Sequence, residues 1–283
     1  MKSRILYIVI FSCLVSFSAH SQNVVQTFAL ANSLFEQADY QLAINHYQRV
    51  LFFEQVTFRF ESYSRLAKAH FKLNDLKKAG FYYDLAYYSV EEDSLSTEMG
   101  FNKIQILILQ GRYNEALIDL FSLDYPETDY FNRKSNFYLG VANFALGEYA
   151  ISEAYFLNIS KDSLFQAHIH DVFLKNKKVE RINPKVAKTL SMLAPGLGQF
   201  YLGEFKSGLN SVVLTSAFVV LGFSTAINYS IFNAVYAVAP WYFRYYVGGY
   251  QNSEQHALNK IAKKRTEIYT ELLDLIADSN PKI

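Results

Sequence analysis

Cysteine, tryptophan, proline and glycine are all scarce in this sequence. Its 283 residues include one Cys, one Trp, five Pro and 12 Gly. So few Gly and Pro argue against a collagen, a Pro-rich linker protein or a turn-rich β-sandwich. Charged residues make up only 19% and the formal net charge is +1, so the composition does not point to nucleic acid. The abundant residues are apolar (51%), including 24 Phe beside 22 Tyr, which excludes intrinsic disorder and allows one or two folded units.

Residues 1–22 have the pattern of a secretory signal peptide. A basic start is followed by the mostly apolar run Ile5–Phe17, which is too short for a comfortable membrane span. The small residues Ala19 and Ser21 then predict cleavage before Gln22. Export is therefore expected.

Cleavage would remove Cys13, the only cysteine of the chain. The mature protein would then have no disulfide, no thiolate metal site and no cysteine nucleophile. Attachment of a lipid to Cys13 and an uncleaved anchor are the alternatives.

Charge is distributed unevenly along the rest of the chain. Residues 23–174 hold 12 basic and 19 acidic residues, a net charge of −7, whereas residues 175–283 hold 13 basic and seven acidic residues, a net charge of +6. The basic part also contains the long apolar runs, which is typical of a membrane-associated segment.

The front half repeats with a period of 36 to 37 residues. The phrase at Ala38–Ile44 returns at Asn74–Gly80 and Gly111–Leu117, and more loosely at Gly147–Ile151. Each copy is a turn-forming phrase between two stretches with helical apolar periodicity, so pairs of antiparallel helices are predicted. Such pairs cannot bury their apolar faces alone, and we expect them to stack.

Small and large side chains recur at fixed places in these repeats. Large rings follow the second-helix small residue by four positions at Tyr47 and Tyr83. The small residues predict close helix approach at Ala31, Ala67 and Gly140 on the first helices, and at Ala43, Ala79 and Ala116 on the second. The third copy departs from this pattern at Ile104, and the fourth has Ser152 in place of the second-helix alanine.

Residues 24 to about 160 thus resemble tetratricopeptide repeats, and we assign a repeat domain to residues 23–174. The resemblance implies an α-solenoid whose concave surface binds a protein or peptide and carries out no catalysis. Tyr47, Tyr83 and Tyr87 are the candidate lining of that groove, because Tyr combines contact area with a hydroxyl at low entropic cost. The other interpretation places these rings in the core between repeats.

The back half contains a candidate membrane hairpin at residues 208–250. Gly208–Ile227 has no charged residue and is long enough, at about 1.5 Å per residue, to cross roughly 30 Å of hydrocarbon. After a polar break at Asn228–Ser230, the run Ile231–Phe243 predicts a second span. Interfacial anchors are predicted near its end, at Trp241, Tyr242, Arg244 and Tyr245. A buried hairpin of a soluble protein is the alternative.

A basic linker and an interfacial segment, residues 175–207, precede the hairpin. The motif runs P-G-L-G-Q-F-Y-L-G, and its marked residues are Pro195, Gly196, Gly198, Gln199, Tyr201, Gly203 and the later Gly208. It resembles the opening segment of small bacterial two-span membrane domains, some of which follow tetratricopeptide repeats in envelope proteins. The resemblance covers about residues 184–250 and implies a bacterial inner-membrane protein with its repeats in the periplasm.

The basic residues flanking the hairpin conflict with the positive-inside rule if both flanks are exported. Either the signal peptide determines the orientation, or residues 186–203 form a third crossing. Beyond the hairpin, residues 251–283 have the apolar spacing of an amphipathic helix, which lies along headgroups or packs on preceding helices.

The predicted fold is all-α: a tetratricopeptide-like solenoid, a transmembrane helical hairpin and a C-terminal amphipathic helix. No cofactor or nucleic acid is expected, and no nucleotide either, because Glu204 and Phe205 stand where a phosphate-binding loop needs Lys and Ser or Thr. The expected function is a non-catalytic, membrane-tethered envelope scaffold with a protein or peptide partner. The alternatives are an accessory subunit of a membrane assembly or transport system, and an enzyme with a membrane-interface site near Gln199, Tyr201, Glu204 and Arg244.

Overall fold

The computed structural model describes residues 23–53 and 56–279, so the predicted signal peptide lies outside the described residues. Every regular element in those ranges is an α-helix, as the sequence predicts. The chain divides into two compact units, the first ending at Ile159 and the second beginning at Ser160.

The first unit consists of eight described helices that pack in chain order. They are α1 (Val24–Glu36), α2 (Tyr40–Phe52), α3 (Val56–Lys72), α4 (Leu76–Tyr87), α5 (Asp93–Leu109), α6 (Tyr113–Ser122), α7 (Asp129–Leu146) and α8 (Tyr149–Leu157). This sequential packing of paired helices is compatible with the predicted α-solenoid.

The four repeated phrases form four turns of one kind. In each, the residue two positions before the second helix has a positive φ: Ala38 at 60°, Asn74 at 60°, Gly111 at 73° and Gly147 at 86°. The N–H of this residue and the N–H of the next residue close the turn on the preceding helix, as where Ala38 N–H donates to the Phe35 carbonyl and Asp39 N–H donates to the Leu34 carbonyl. These paired bonds satisfy carbonyls that a helix end leaves without partners.

The predicted small-residue positions are buried. Ala43, Ala79, Ala116 and Ser152 each have 0% exposure, one in each second helix. The Ser152 hydroxyl donates to the Gly140 carbonyl over 2.8 Å, so its polar group is satisfied where the other repeats carry alanine. A Cβ on Gly140 would lie 2.7 Å from the Phe156 ring, which explains why α7 carries no side chain there.

The second unit contains the remaining described helices. They are α9 (Ser163–Glu180), α10 (Pro184–Leu193), α11 (Leu197–Tyr201), α12 (Phe205–Asn228), α13 (Ile231–Ala237) and α14 (Ala239–Ser279). Because α9 packs against α14, the unit boundary falls before α9 and not at the predicted 174/175 junction.

The predicted linker at residues 175–207 is folded. It contributes the end of α9, then α10 and α11, and buried Ala187, Leu202 and Ala257 form a small core shared with α14. Since α10 and α11 are separate short helices that pack together, residues 186–203 are not one continuous crossing helix.

The C-terminal amphipathic helix is part of α14 and does not begin at residue 251. Its buried residues Ile268, Leu272 and Ile276 recur at helical spacing, and α14 packs on α9. Lys175 and Glu271 form an ion pair across this contact, with their charged atoms 2.5 Å apart. Of the two predicted placements, the structure therefore has the helix packed on a preceding helix.

Candidate functional site

The P-G-L-G-Q motif forms a tight corner between α10 and α12. Pro195 follows the end of α10, and Gly196 turns the chain with a φ of 89° before α11 begins. A Cβ on Gly196 would lie 2.6 Å from the Gly208 carbonyl oxygen, so the corner packs backbone against backbone. Gly208 in turn has no room for a Cβ, which would lie 2.6 Å from the Phe200 ring.

Gly198 marks the closest helix contact of the motif. A Cβ there would be 1.9 Å from the Ala187 carbonyl oxygen, well inside any van der Waals distance. Without a side chain at this position, α11 lies directly on the backbone of α10. The sequence pattern predicted the tight turn but not this contact, because only the folded chain brings Ala187 to Gly198.

Gln199 lies at the centre of a buried hydrogen-bond network, with 1% exposure. Its amide donates to the Gly249 carbonyl over 2.9 Å, and its carbonyl oxygen accepts from the Ser191 hydroxyl over 2.9 Å. The Gly198 N–H donates to that same hydroxyl over 3.0 Å. Because every polar side-chain group here has a partner, Gln199 joins α10, α11 and α14.

The end of α11 repeats the turn of the first unit. Gly203 has a φ of 77°, its N–H donates to the Phe200 carbonyl, and the Glu204 N–H donates to the Gln199 carbonyl. The Tyr201 hydroxyl donates to the Arg181 carbonyl over 3.2 Å, which ties α11 to the end of α9. The motif residues thus fix the direction in which α12 leaves this corner.

Helix α12 is long, apolar and exposed. Its 24 residues have a mean hydropathy of 1.7 over the most apolar 18-residue window, and only 6% of that window is buried. No charged residue occurs from Ser207 to Phe243. By length and composition, it is the one helix of the described ranges that qualifies to cross a membrane. Exposed apolar surface of this extent marks a site of interaction.

The predicted second span is not an independent apolar helix, and the two-span prediction holds only in part. The chain does fold back at residues 229–230, and both α13 and α14 pack on α12. However, the return arm is interrupted at Val238, between α13 and α14. Pro240 is the reason, because it has no N–H to donate and its ring disfavours helix at the preceding residues.

The four predicted interfacial anchors lie on the first turns of α14. Tyr245 stacks on Phe218 of α12 with a centroid distance of 5.1 Å, and Tyr242 stacks on Tyr246 at 5.8 Å. Trp241 is half exposed, and the Arg244 guanidinium lies 5.9 Å from the centre of its ring. An apolar cavity of about 320 Å³, lined in part by Phe218 and Tyr242, lies nearer the fold-back.

The tyrosine-lined groove prediction is wrong for Tyr47 and Tyr83. Tyr47 has 0% exposure and donates to the Asn32 side chain over 2.6 Å, and Tyr83 has 5% exposure. Burial raises the pKa of both phenols to about 12. These two rings fill the core, which is the other interpretation of their spacing.

Tyr87 does line an open cavity, together with the exposed Tyr88. This cavity of about 260 Å³ adjoins a cluster in which Lys103 lies 2.7 Å from an Asp84 oxygen and 3.1 Å from an Asp119 oxygen. Burial by itself would lower the pKa of the Lys103 ammonium, but hydrogen bonds to both carboxylates raise it above its ordinary value. The sequence did not reveal this cluster, since its three members come from three helices.

The candidate enzyme residues do not form one site. Gln199 and Arg244 line a common crevice, whereas Tyr201 and Glu204 are not part of its lining. In the described ranges, no three His, Cys, Asp or Glu residues lie close enough to hold a metal ion. No known protein-family model matches this sequence, and no curated protein matches it either.

Proposed function

We propose that this protein is a non-catalytic scaffold that is anchored in a bilayer and holds a protein or peptide partner at the membrane. The second unit is the anchor, and the tetratricopeptide-like repeats of the first unit bind a protein or peptide. The observation that carries the proposal is the exposed α12, because a soluble helix of this hydropathy is ordinarily buried.

The structure supports anchoring through residues 208–250 in a second way. Val213, Val220 and Phe223 of α12 are exposed, and so are Phe232 and Tyr236 of the return arm. Exposure of these apolar side chains to water is unfavourable by about 25 cal/mol for each Å² of apolar surface. A bilayer removes that cost, and in this proposal the membrane is the inner membrane with the repeats in the periplasm.

Membrane retention of the full chain tests the anchor. Val220→Arg places a charge near the middle of α12, where insertion becomes about 3 kcal/mol less favourable. The matched control is Leu164→Arg, since Leu164 is 71% exposed on α9 and Val220 is 68% exposed on α12. We expect the wild-type chain and the control to stay in carbonate-washed membranes and Val220→Arg to be released. Equal retention of both variants would contradict the anchor.

The partner surface is proposed at the cavity lined by Tyr87 and Tyr88, because it is open and has aromatic walls. Tyr88 is 77% exposed, and Tyr88→Ala in the full chain should lose most partner crosslinking from the envelope. Phe52 is 79% exposed on α2 and does not line the cavity, so Phe52→Ala is the matched control. If Tyr88→Ala retains every partner that the wild type captures, the cavity is not the binding surface.

A further inference from the structure

The corner between α10 and α11 is level with the second turn of α12 and not with its first residue. Gly196, at the corner, packs directly on that turn, since a Cβ on it would lie 2.6 Å from the Gly208 carbonyl oxygen and 2.7 Å from Cγ2 of Val212. Val212 comes six residues after Lys206, the last charged residue before the apolar run, which corresponds to about 9 Å along the helix. If α12 crosses a bilayer, the corner therefore lies below the charged surface.

A contact with α14 places the end of α10 at a similar depth. The Tyr246 hydroxyl donates to the Met192 carbonyl over 2.6 Å. The neighbouring Tyr245 stacks on Phe218 of α12, so this part of α14 is level with residues well beyond the first turn of α12. The same bond gives a carbonyl in the last turn of α10 a partner from the protein.

The opposite ends of the two short helices lie beside charged residues of α14. Lys188 in the first half of α10 pairs with Glu254 over 2.7 Å. Beyond the end of α11, the Lys260 ammonium donates to the Leu202 carbonyl. Glu254 and Lys260 come after Tyr246 on α14, so they are farther from the fold-back of the hairpin. The chain thus runs inward along α10, turns at the corner and returns outward along α11.

The corner has an apolar, exposed surface. Residues 189–203 include no charged residue. Leu193 is 77% exposed, Leu197 is 42% exposed and Met192 is 39% exposed. Side chains of this kind favour hydrocarbon over water as their surroundings.

Backbone groups at the corner are paired within the protein. The Ala194 N–H donates to the Leu190 carbonyl, and the Leu197 N–H donates to the Ala194 carbonyl. Pro195, between them, has no N–H to satisfy. In hydrocarbon, where water is absent, backbone polar groups need such internal partners. The conformation of the corner therefore suits the interior of a leaflet.

We propose that residues 184–203 form a re-entrant helical hairpin whose corner lies among the acyl chains of one leaflet. Helix α10 enters the leaflet, Pro195 and Gly196 turn the chain, and α11 returns to the same surface before α12 crosses. The acyl chains cover Leu193 and Leu197, because this surface is continuous with the α12 surface that is proposed to lie in the membrane. The inference rests on that proposed anchoring and adds a second inserted element to it.

Fluorescence quenching in vesicles tests the depth of the corner. Leu193→Cys and the matched control Leu164→Cys are made in the full chain with Cys13→Ser, labelled with bimane and reconstituted in phosphatidylethanolamine and phosphatidylglycerol. Leu193 and Leu164 are 77% and 71% exposed, so iodide in water would reach both labels about equally without insertion. We expect roughly tenfold weaker iodide quenching at Leu193 than at Leu164, because iodide does not enter hydrocarbon. Lipids with bromine on their acyl chains should quench the Leu193 label alone.

Two results would overturn the proposal. One is equal iodide quenching at Leu193 and Leu164. The other is a Leu193 label that is shielded from iodide but not quenched by brominated lipid, since protein, such as a second copy of this chain, would then cover the corner. Leu197→Cys labels the other arm of the corner and should behave like Leu193→Cys.

A bimane label at Val220→Cys of α12 separates the causes of failure. If brominated lipid quenches the label at Val220 but not the labels at Leu193 and Leu197, the re-entrant hairpin fails and the anchor stands. If it quenches none of them, the anchor fails and the re-entrant hairpin fails with it.

Discussion

At the level of single residues, the turns of the first unit show how a repeated phrase specifies a conformation. Glycine fills the positive-φ position in the third and fourth turns, but Ala38 occupies it in the first with a φ of 60°. A Cβ in the left-handed region costs roughly 1–2 kcal/mol. The sequence predicted the turn from its Asp, Asn and Gly content, and the strain at Ala38 becomes visible only in the backbone.

Ala38→Gly should therefore stabilise the protein. Relief of the left-handed strain exceeds the entropy that glycine adds to the unfolded chain, leaving a gain of about 0.5–1 kcal/mol. Chemical denaturation of the full chain, followed for the first unit, measures this gain in stability. Ala43→Gly is the control, because Ala43 is buried inside α2, and it should be destabilising. A loss of stability in Ala38→Gly would contradict the turn geometry.

His70 gives a pH dependence at the same scale. Burial lowers the pKa of its imidazole, while Asp75, with a carboxylate oxygen 3.4 Å from Nδ1, opposes that shift. The unfolded chain, with an ordinary pKa of about 6.5, then binds more protons than the folded chain at mildly acidic pH. The contribution of His70 to folding stability is therefore complete at pH values above the imidazole pKa in the unfolded chain. It is lost as the pH falls through the lower pKa of the folded chain.

Urea unfolding of the wild type and of His70→Gln between about pH 7 and pH 5 measures this contribution. We expect the free energy of unfolding of the wild type to fall more steeply than that of the variant as the solution is acidified. Parallel curves would show that His70 does not titrate differently in the folded and unfolded chains.

At the level of elements, helix identity was predictable and helix limits were less so. Apolar periodicity identified the helix pairs, and the long uncharged run Gly208–Ile227 identified α12, because both are local properties of the sequence. The sequence did not predict that the return arm and the amphipathic helix share α14. The helix continues through Gly248 and Gly249, and Gly249 packs closely on its neighbours: a Cβ there would lie 2.9 Å from the Ser211 hydroxyl, and the Gln199 amide donates to the Gly249 carbonyl. Those are contacts between distant parts of the chain.

Gly198→Ala should disrupt the corner that orients α12. The new Cβ would meet the backbone of Ala187 and cannot be relieved by rotating a side chain, so we expect a loss of about 3 kcal/mol. Thermal unfolding in detergent micelles provides the measurement. Gly248→Ala is the matched control, because a Cβ there has nothing within 4 Å, and it should be neutral or stabilising. Similar melting curves for both variants would refute the close α10–α11 contact.

At the level of the whole molecule, the sequence predicted two parts of different character, acidic repeats and a basic part with apolar runs. The structure has two units but assigns α9 to the second, because its buried face packs on α14. Apolar periodicity shows that α9 has a face to bury, but it does not specify which helix covers that face. The sequence therefore did not predict this assignment. The predicted periplasmic repeats and inner-membrane anchor remain predictions.

The most direct measurement of the central claim, that α12 lies in a bilayer, is the solvent accessibility of its exposed residues. Nitroxide labels are placed singly at Val213, Val220 and Ile227 of a full chain whose Cys13 is replaced by serine, with a label at Leu164 as the control. In vesicles we predict that the α12 labels are relaxed by oxygen and shielded from a water-soluble nickel complex, whereas the Leu164 label is open to nickel. Nickel access at Val220 equal to that at Leu164 would contradict the account.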